Sequence, residues 1–383
     1  MNMKKYIVVG EYKMRIGLLI TSVGNFGEKG FYNAQEIGLA KELDKLFDEV
    51  IIYKAVPISE QKSVNRVDGC SHSTLYQIPV TSKGINGIWD CRMMDNTLDA
   101  LIYFSDTQLV VVNVYKWCCR NNIRMYPYIG VIESHSTNVA KRLIINAMFK
   151  RNIAVYKKCT CFVKTPTVAE ILNALGVKDT VLTPVGLDVS LLHTDFEKSN
   201  IQEIKEKYGY SSDDKVLLFI GRLIDEKQPV RMIEILAEIR KKNQSYKLIM
   251  VGTGELKNVV MERIKRQNLL DYVQMIDRIP NSDIWELYRM ADSFINLNQQ
   301  EIFGMAILEA MYYGCKVVAW TAPGPELIIE QGVNGWLVCS NKELIDCIVN
   351  PQNLSGQAHR TIIDRFTWVR STKKMAEYIQ KIK

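Results

Sequence analysis

The chain has 383 residues, 47% apolar, 24% charged and 9% aromatic, which excludes a disordered, collagenous or coiled-coil protein and predicts two packed domains of about 190 residues each. The formal charge of +7 is unevenly shared: residues 1–190 hold 23 Lys and Arg against 17 Asp and Glu, and the remainder 26 against 25. A basic first half beside a neutral second half suggests an anionic surface or substrate on the first half only, with nucleic acid and anionic lipid both open on charge alone.

Short β-branched runs alternate with helical periodicity from the start. Strands are expected at Ile16 to Thr21, Val50 to Tyr53, Ala100 to Phe104, Tyr128 to Ile132 and Cys161 to Lys164, with helices at Tyr32 to Leu46 and Gln108 to Arg120. The stretch Val56 to Asn96, rich in Ser, Asn, Gly and Lys, carries no clear element and reads as a long loop or small insertion. Pro184 and Gly186 punctuate the switch between halves, Thr183 to Glu197, before a charged helix from Ile201 to Tyr208. The alternation then restarts. Strands are expected at Val216 to Ile220, Lys247 to Val251, Val273 to Ile276, Phe294 to Leu297 and Lys316 to Ala319. The helices between them are Pro229 to Lys242, Leu256 to Gln267, Asp283 to Met290 and Gly304 to Tyr313. This is the pattern of two parallel-sheet α/β domains, Rossmann-like, at 1–190 and 191–365. The segment 366–383 reads as an amphipathic helix that packs back on the first domain.

Nine cysteines without a CxxC pair, and four histidines, argue against a zinc site or disulfide framework. Lys4 and Lys5 precede only a short apolar run, Tyr6 to Val9, far short of a signal-peptide core. No apolar run reaches the ~18 residues of a spanning helix. A cytoplasmic protein is expected, free to lie on the inner face of a membrane.

In such folds ligands sit in loops after strands, and facing domains place them in the cleft. Glu301 to Glu309 follows one predicted strand: Gly304 opens a helix whose Met305, Ala306, Ile307 and Leu308 are apolar nearly all round, so its free N–H groups form an anion site flanked by two carboxylates. Glu309, inside an apolar helix, needs donors; ribose hydroxyls would serve, and so would a core Arg. After another strand, Gly221 leads to Arg222 and Lys227, two cations suited to a diphosphate. Gly252 and Gly254 form a further turn. Gly24, Gly27 and Gly30 lack dinucleotide-fingerprint spacing but let backbone approach a ligand, and His135 lies at the expected cleft edge.

Taken together, Arg222 with Lys227, the Gly252 and Gly254 turn, Glu301-x-Phe-Gly-x-x-x-x-Glu309-Ala-Met-x-x-Gly314 and Gly324-Pro-Glu326-Leu-Ile resemble family 4 retaining glycosyltransferases of the GT-B fold. Thr165-Pro-Thr, Pro184-Val-Gly-Leu-Asp188 and Phe366-Thr-Trp368 extend the resemblance, and Gly30 and His135 fit it loosely. The resemblance implies a nucleotide-sugar donor, with UDP the expected nucleotide and no separate cofactor. Glu309 would hold the ribose, Arg222 and Lys227 the pyrophosphate, and the amides from Gly304 to Ala306 the phosphates. Glu301 would contact the sugar, His135 would lie over it, and backbone around Arg278, Ile279 and Pro280 would read the base. Asn298-Gln299-Gln300 replaces the Pro-Ser usual in that family, and Val185 a common Asn.

The expected reaction is a metal-independent, retaining hexosyl transfer to a hydroxyl of a glycan or lipid-linked acceptor, as in cell-surface polysaccharide synthesis. No DxD motif is available to hold a metal. The rival enzyme is a sugar-nucleotide epimerase on the same fold, for which no acid/base set assembles from His72, His135, His193 and His359. A membrane or nucleic-acid binding module would suit the basic half but leaves Glu301 and Glu309 unexplained; nucleic acid is not the expected partner. Residues 138–158 carry six cations and no acid among apolar residues, the composition of a basic helix able to lie on anionic lipid.

Overall fold

The computed structural model describes residues 14–23, 34–132 and 139–381. The first sheet contains β1 (Arg15–Ile20), β2 (Glu49–Pro57), β3 (Ser63–Arg66) and β4 (Ser73–Val80). A small separate hairpin, β5 (Ser82–Lys83) with β6 (Asn86–Gly87), follows. The sheet is completed by β7 (Ala100–Phe104), β8 (Arg124–Ile129), β9 (Cys161–Val163) and β10 (Thr180–Leu182). Its order is β10-β9-β8-β7-β1-β2-β4-β3, parallel throughout except for β3, which runs antiparallel to β4 at the edge.

The second sheet holds β11 (Lys215–Ile220), β12 (Tyr246–Val251), β13 (Val273–Ile276), β14 (Ser293–Asn296), β15 (Val317–Trp320) and β16 (Trp336–Val338), in the order β13-β12-β11-β14-β15-β16 and all parallel. Central strands such as Val216, Leu217 and Leu218 are wholly buried because helices cover both faces. Those helices are locally specified. Pro229 opens Pro229–Lys242 at its first position, and Arg240, Lys241 and Lys242 close it against the negative end of the helix dipole. Thr165 caps Pro166–Ala174 through the Val168 amide, and Ser340 caps Asn341–Val349.

Two expectations are corrected. Val56 to Asn96 is not a loop: β2 runs on to Pro57, and β4 pairs with it in parallel from Val50↔Ser73 to Pro57↔Val80. Of the eight residues STLYQIPV only Ser73, Ile78 and Val80 are fully buried, and polar residues interrupt the apolar run that marks an inner parallel strand. β8 begins at Arg124 and ends at Ile129, earlier than the expected Tyr128 to Ile132, because Pro127 sits inside it opposite Tyr103. A proline without an N–H argues against a central strand from sequence, and here the strand tolerates it.

The chain crosses between the sheets twice. The outward crossing passes Val185 and Leu187; the return passes Phe366 to Trp368, and the two are joined by Leu187 N–H donating to the Phe366 carbonyl at 2.8 Å. The final helix, Trp368–Lys381, then packs on the helix Gln35–Leu43 of the first domain. A Cβ on Gly38 would lie 2.5 Å from the Trp368 indole nitrogen, and one on Gly186 would lie 2.2 Å from the Trp368 backbone nitrogen. Both glycines are there for closeness of approach.

Candidate active site

The order of the second sheet reverses between β11 and β14, so the loops that follow these two strands diverge and leave a crevice at their carboxyl ends. The loop after β11 carries Arg222 and Lys227; the loop after β14 carries Glu301. They meet there. Lys227 Nζ lies 2.6 Å from Glu301 Oε2, and the same oxygen accepts from the side-chain amides of Asn296 at 3.2 Å and Asn298 at 3.3 Å. Burial pushes the Glu301 carboxyl up, but the Lys227 charge and hydrogen bond, with those two amides, overcome it and hold the group below its ordinary value. Glu301 is therefore an ionised carboxylate locked in place.

Directly beyond it, Gly304 takes a left-handed φ of +98° and caps the helix Met305–Tyr312. Its carbonyl accepts from Ile307 and Leu308, so the amides of Met305 and Ala306 precede the helix's own bonding and point out of its positive end. The loop is clamped from behind: Gly324 N–H donates to the Glu301 carbonyl at 2.9 Å, and a Cβ on Gly324 would lie 2.3 Å from the Phe303 carbonyl oxygen. One turn on, Glu309 accepts a 2.9 Å hydrogen bond from the Tyr288 hydroxyl. Burial, reinforced by the Glu309 charge, raises that phenol well above its ordinary value. Tyr288 thus remains a donor, and it orients the carboxylate.

Gly252 and Gly254 have a bracing position. A Cβ at 252 would lie 1.9 Å from the Gly221 carbonyl oxygen, and one at 254 would lie 2.4 Å from that of Leu223. The turn after β12 thus presses backbone to backbone on the loop that presents Arg222, whose side chain is exposed. Arg278 and Ile279 follow β13 on the same edge, with Ile279 packed against the core. Gly27, Gly30 and His135 lie outside the described residues.

Across the domains, a cavity of about 260 Å3 is walled by Gly130, Val131 and Thr165 of the first and by Gln299, Gln300 and Pro323 of the second. It adjoins the Glu301 loop, so an object held at the crevice faces the first domain. Asn296 and Tyr288 are the site residues that sequence reasoning missed. An amide closing the apolar strand SFIN was the only local signal for Asn296, and a tyrosine in an amphipathic helix gives none.

The whole architecture is shared with solved proteins. Sucrose-phosphate synthase from Thermosynechococcus elongatus superposes with a TM-score of 0.75 over 97% of this chain and 99% of its own, at 16% identity. Anabaena HepE, solved in complex with UDP and glucose, gives 0.69 over 96% and 100%, at 17% identity. The fold is GT-B. Within it, residues 200–350 match the family described as glycosyl transferases, group 1. The α-monoglucosyldiacylglycerol synthase of Acholeplasma laidlawii is 22% identical over 170 residues, 44% of this chain. The matched part spans 43% of that enzyme's length.

Proposed function

We propose that this GT-B protein is a retaining glycosyltransferase that moves a hexose from a UDP-sugar to a hydroxyl of a glycan or lipid-linked acceptor. The observation that carries the reading is the Lys227–Glu301 pair at the reversal of the second sheet, beside the open amides of Met305 and Ala306. A buried carboxylate with one fully engaged oxygen keeps the other for sugar hydroxyls. Arg222, Lys227 and the helix start bring positive charge to where a diphosphate would gain negative charge as the glycosidic bond breaks, which is the main catalytic contribution expected. Because the protein supplies that charge itself, transfer needs no metal. Glu309, held by Tyr288, takes the ribose, and Arg278 with Ile279 borders the base.

Two features of the neighbours support the donor: HepE binds UDP and glucose, and the Acholeplasma relative is by its name a glucosyl transferase to diacylglycerol. A lipid-linked acceptor also suits the helix Val139–Tyr156, where Arg142 and the apolar Leu143 and Ile144 are exposed together, the latter two at 64% and 61%. The deciding experiment is a panel of nucleotide sugars screened for protection against thermal unfolding, followed by transfer assays in EDTA. Protection by UDP-sugars with transfer intact in EDTA is expected. Absence of protection by any nucleotide sugar would refute a donor site.

A further inference from the structure

At the opposite end of the second sheet from the donor loops lies a larger cavity, of about 550 Å3. Arg289, on the last turn of the helix before β14, and Gly314, just before β15, place it at the strand starts. Arg360 and His359 line it from the helix Ser355–Arg365, and Phe196 and Glu197 from the outward crossing.

Its chemistry is one-sided. Neither Arg289 nor Arg360 forms an ion pair with a described residue. The Arg289 Nε is buried with no hydrogen-bond partner, although its guanidinium rests over the Phe196 ring, 5.6 Å from the centroid. That nitrogen is out of reach of a ligand, so Arg289, which lines the cavity, would meet one through the rest of its guanidinium. The Ser355 amide is taken by the Asn353 side chain at 2.9 Å, leaving Gly356 as a first-turn donor on the same wall. His359 is turned by its Nδ1 toward the Tyr312 carbonyl. Glu197 is the one carboxylate on the lining.

We propose that this cavity binds a small phosphate monoester, its phosphate held by the forks of Arg289 and Arg360 and its organic part against Phe196. Planar guanidinium forks match a tetrahedral dianion, and the volume exceeds what bare phosphate fills. Because Phe196 belongs to the outward crossing and the helix Ser355–Arg365 leads into the return crossing, the ligand bridges both connections between the domains. The site is independent of the donor reading.

Calorimetric titration of the whole protein with inorganic phosphate and with glycerol 3-phosphate, each with and without excess UDP, tests it. Glycerol 3-phosphate should bind more tightly than phosphate, and equally well with UDP present. Arg289→Gln and the exposed-site variant Arg360→Gln should each weaken it at least tenfold. Glu197→Gln should strengthen it by removing the opposing charge, and Arg222→Gln should leave it unchanged. No binding to the wild-type protein, or binding lost in Arg222→Gln and kept in Arg360→Gln, would overturn the proposal.

Discussion

Lys227 helps to hold the Glu301 carboxylate in the charged state that burial opposes. A carboxyl held below its ordinary value stabilises the fold at neutral pH, and that stability is lost as pH falls through the folded value. In Lys227→Gln, burial would act on Glu301 without its main opponent and raise its pKa. The variant should therefore be less stable than wild type at pH 7, with the deficit narrowing toward about pH 4 as the carboxyl protonates. Urea unfolding at several pH values measures this; a deficit independent of pH would show that the pair is not electrostatically coupled. On the proposed donor site, Glu309→Ala would remove the acceptor for ribose, and it leaves the Tyr288 hydroxyl buried without that bond. Loss of a charge-assisted bond costs roughly 1.5 to 3 kcal/mol, so kcat/KM for the donor should fall about 10- to 150-fold. Turnover within threefold of wild type would remove Glu309 from the donor site.

At the scale of single elements, the helix Val139–Tyr156 divides in two. Phe149, Asn152, Ile153, Val155 and Tyr156 are buried toward its end, while Arg142, Leu143 and Ile144 stand exposed near its start. It is therefore not an amphipathic stripe along its length, and a membrane contact would concentrate at the first turns. Leu143→Ser with Ile144→Ser should release the protein from vesicles containing anionic lipid at low salt while leaving its thermal stability unchanged, as sedimentation and calorimetry would read. Equal sedimentation of both proteins would show that these residues do not insert.

Much of the second domain was legible in sequence: Pro229–Lys242 and Val273–Ile276 stand where the pattern put them, whereas β16 and the helices Pro323–Ile328, Asn341–Val349 and Ser355–Arg365 were not read. The strands there are led by apolar runs such as Val216 to Ile220 and Leu248 to Val251, so local and tertiary preferences agree. β4 was not legible, because its pairing with β2 supplies what its own side chains do not. The Glu301 and Lys227 loops could be placed from their strands, but the cage around the carboxylate could not, since Asn296 and Asn298 matter only through the turn that folds them back.

For the molecule as a whole, the two crossings act as one joint, because the outward and return segments are bonded to each other. Gly186→Ala would force a methyl group against the Trp368 backbone. Such overpacking costs about 1–3 kcal/mol and should lower the Tm measured by calorimetry. An unchanged Tm would mean that the joint has slack.

The return of Trp368–Lys381 to the first domain also sets an order of assembly. Trp368, Met375 and Ile379 are buried, and they belong to the same core as Ile16, Leu18 and Leu39. On the ribosome, those early residues emerge long before the helix that covers them. The second domain, contiguous in the chain, can complete its core during synthesis, whereas the first must wait with part of its apolar surface uncovered until the helix Trp368–Lys381 has emerged. The first domain, although made first, is thus completed after the second, and its uncovered surface is what a nascent-chain chaperone would hold in the interval.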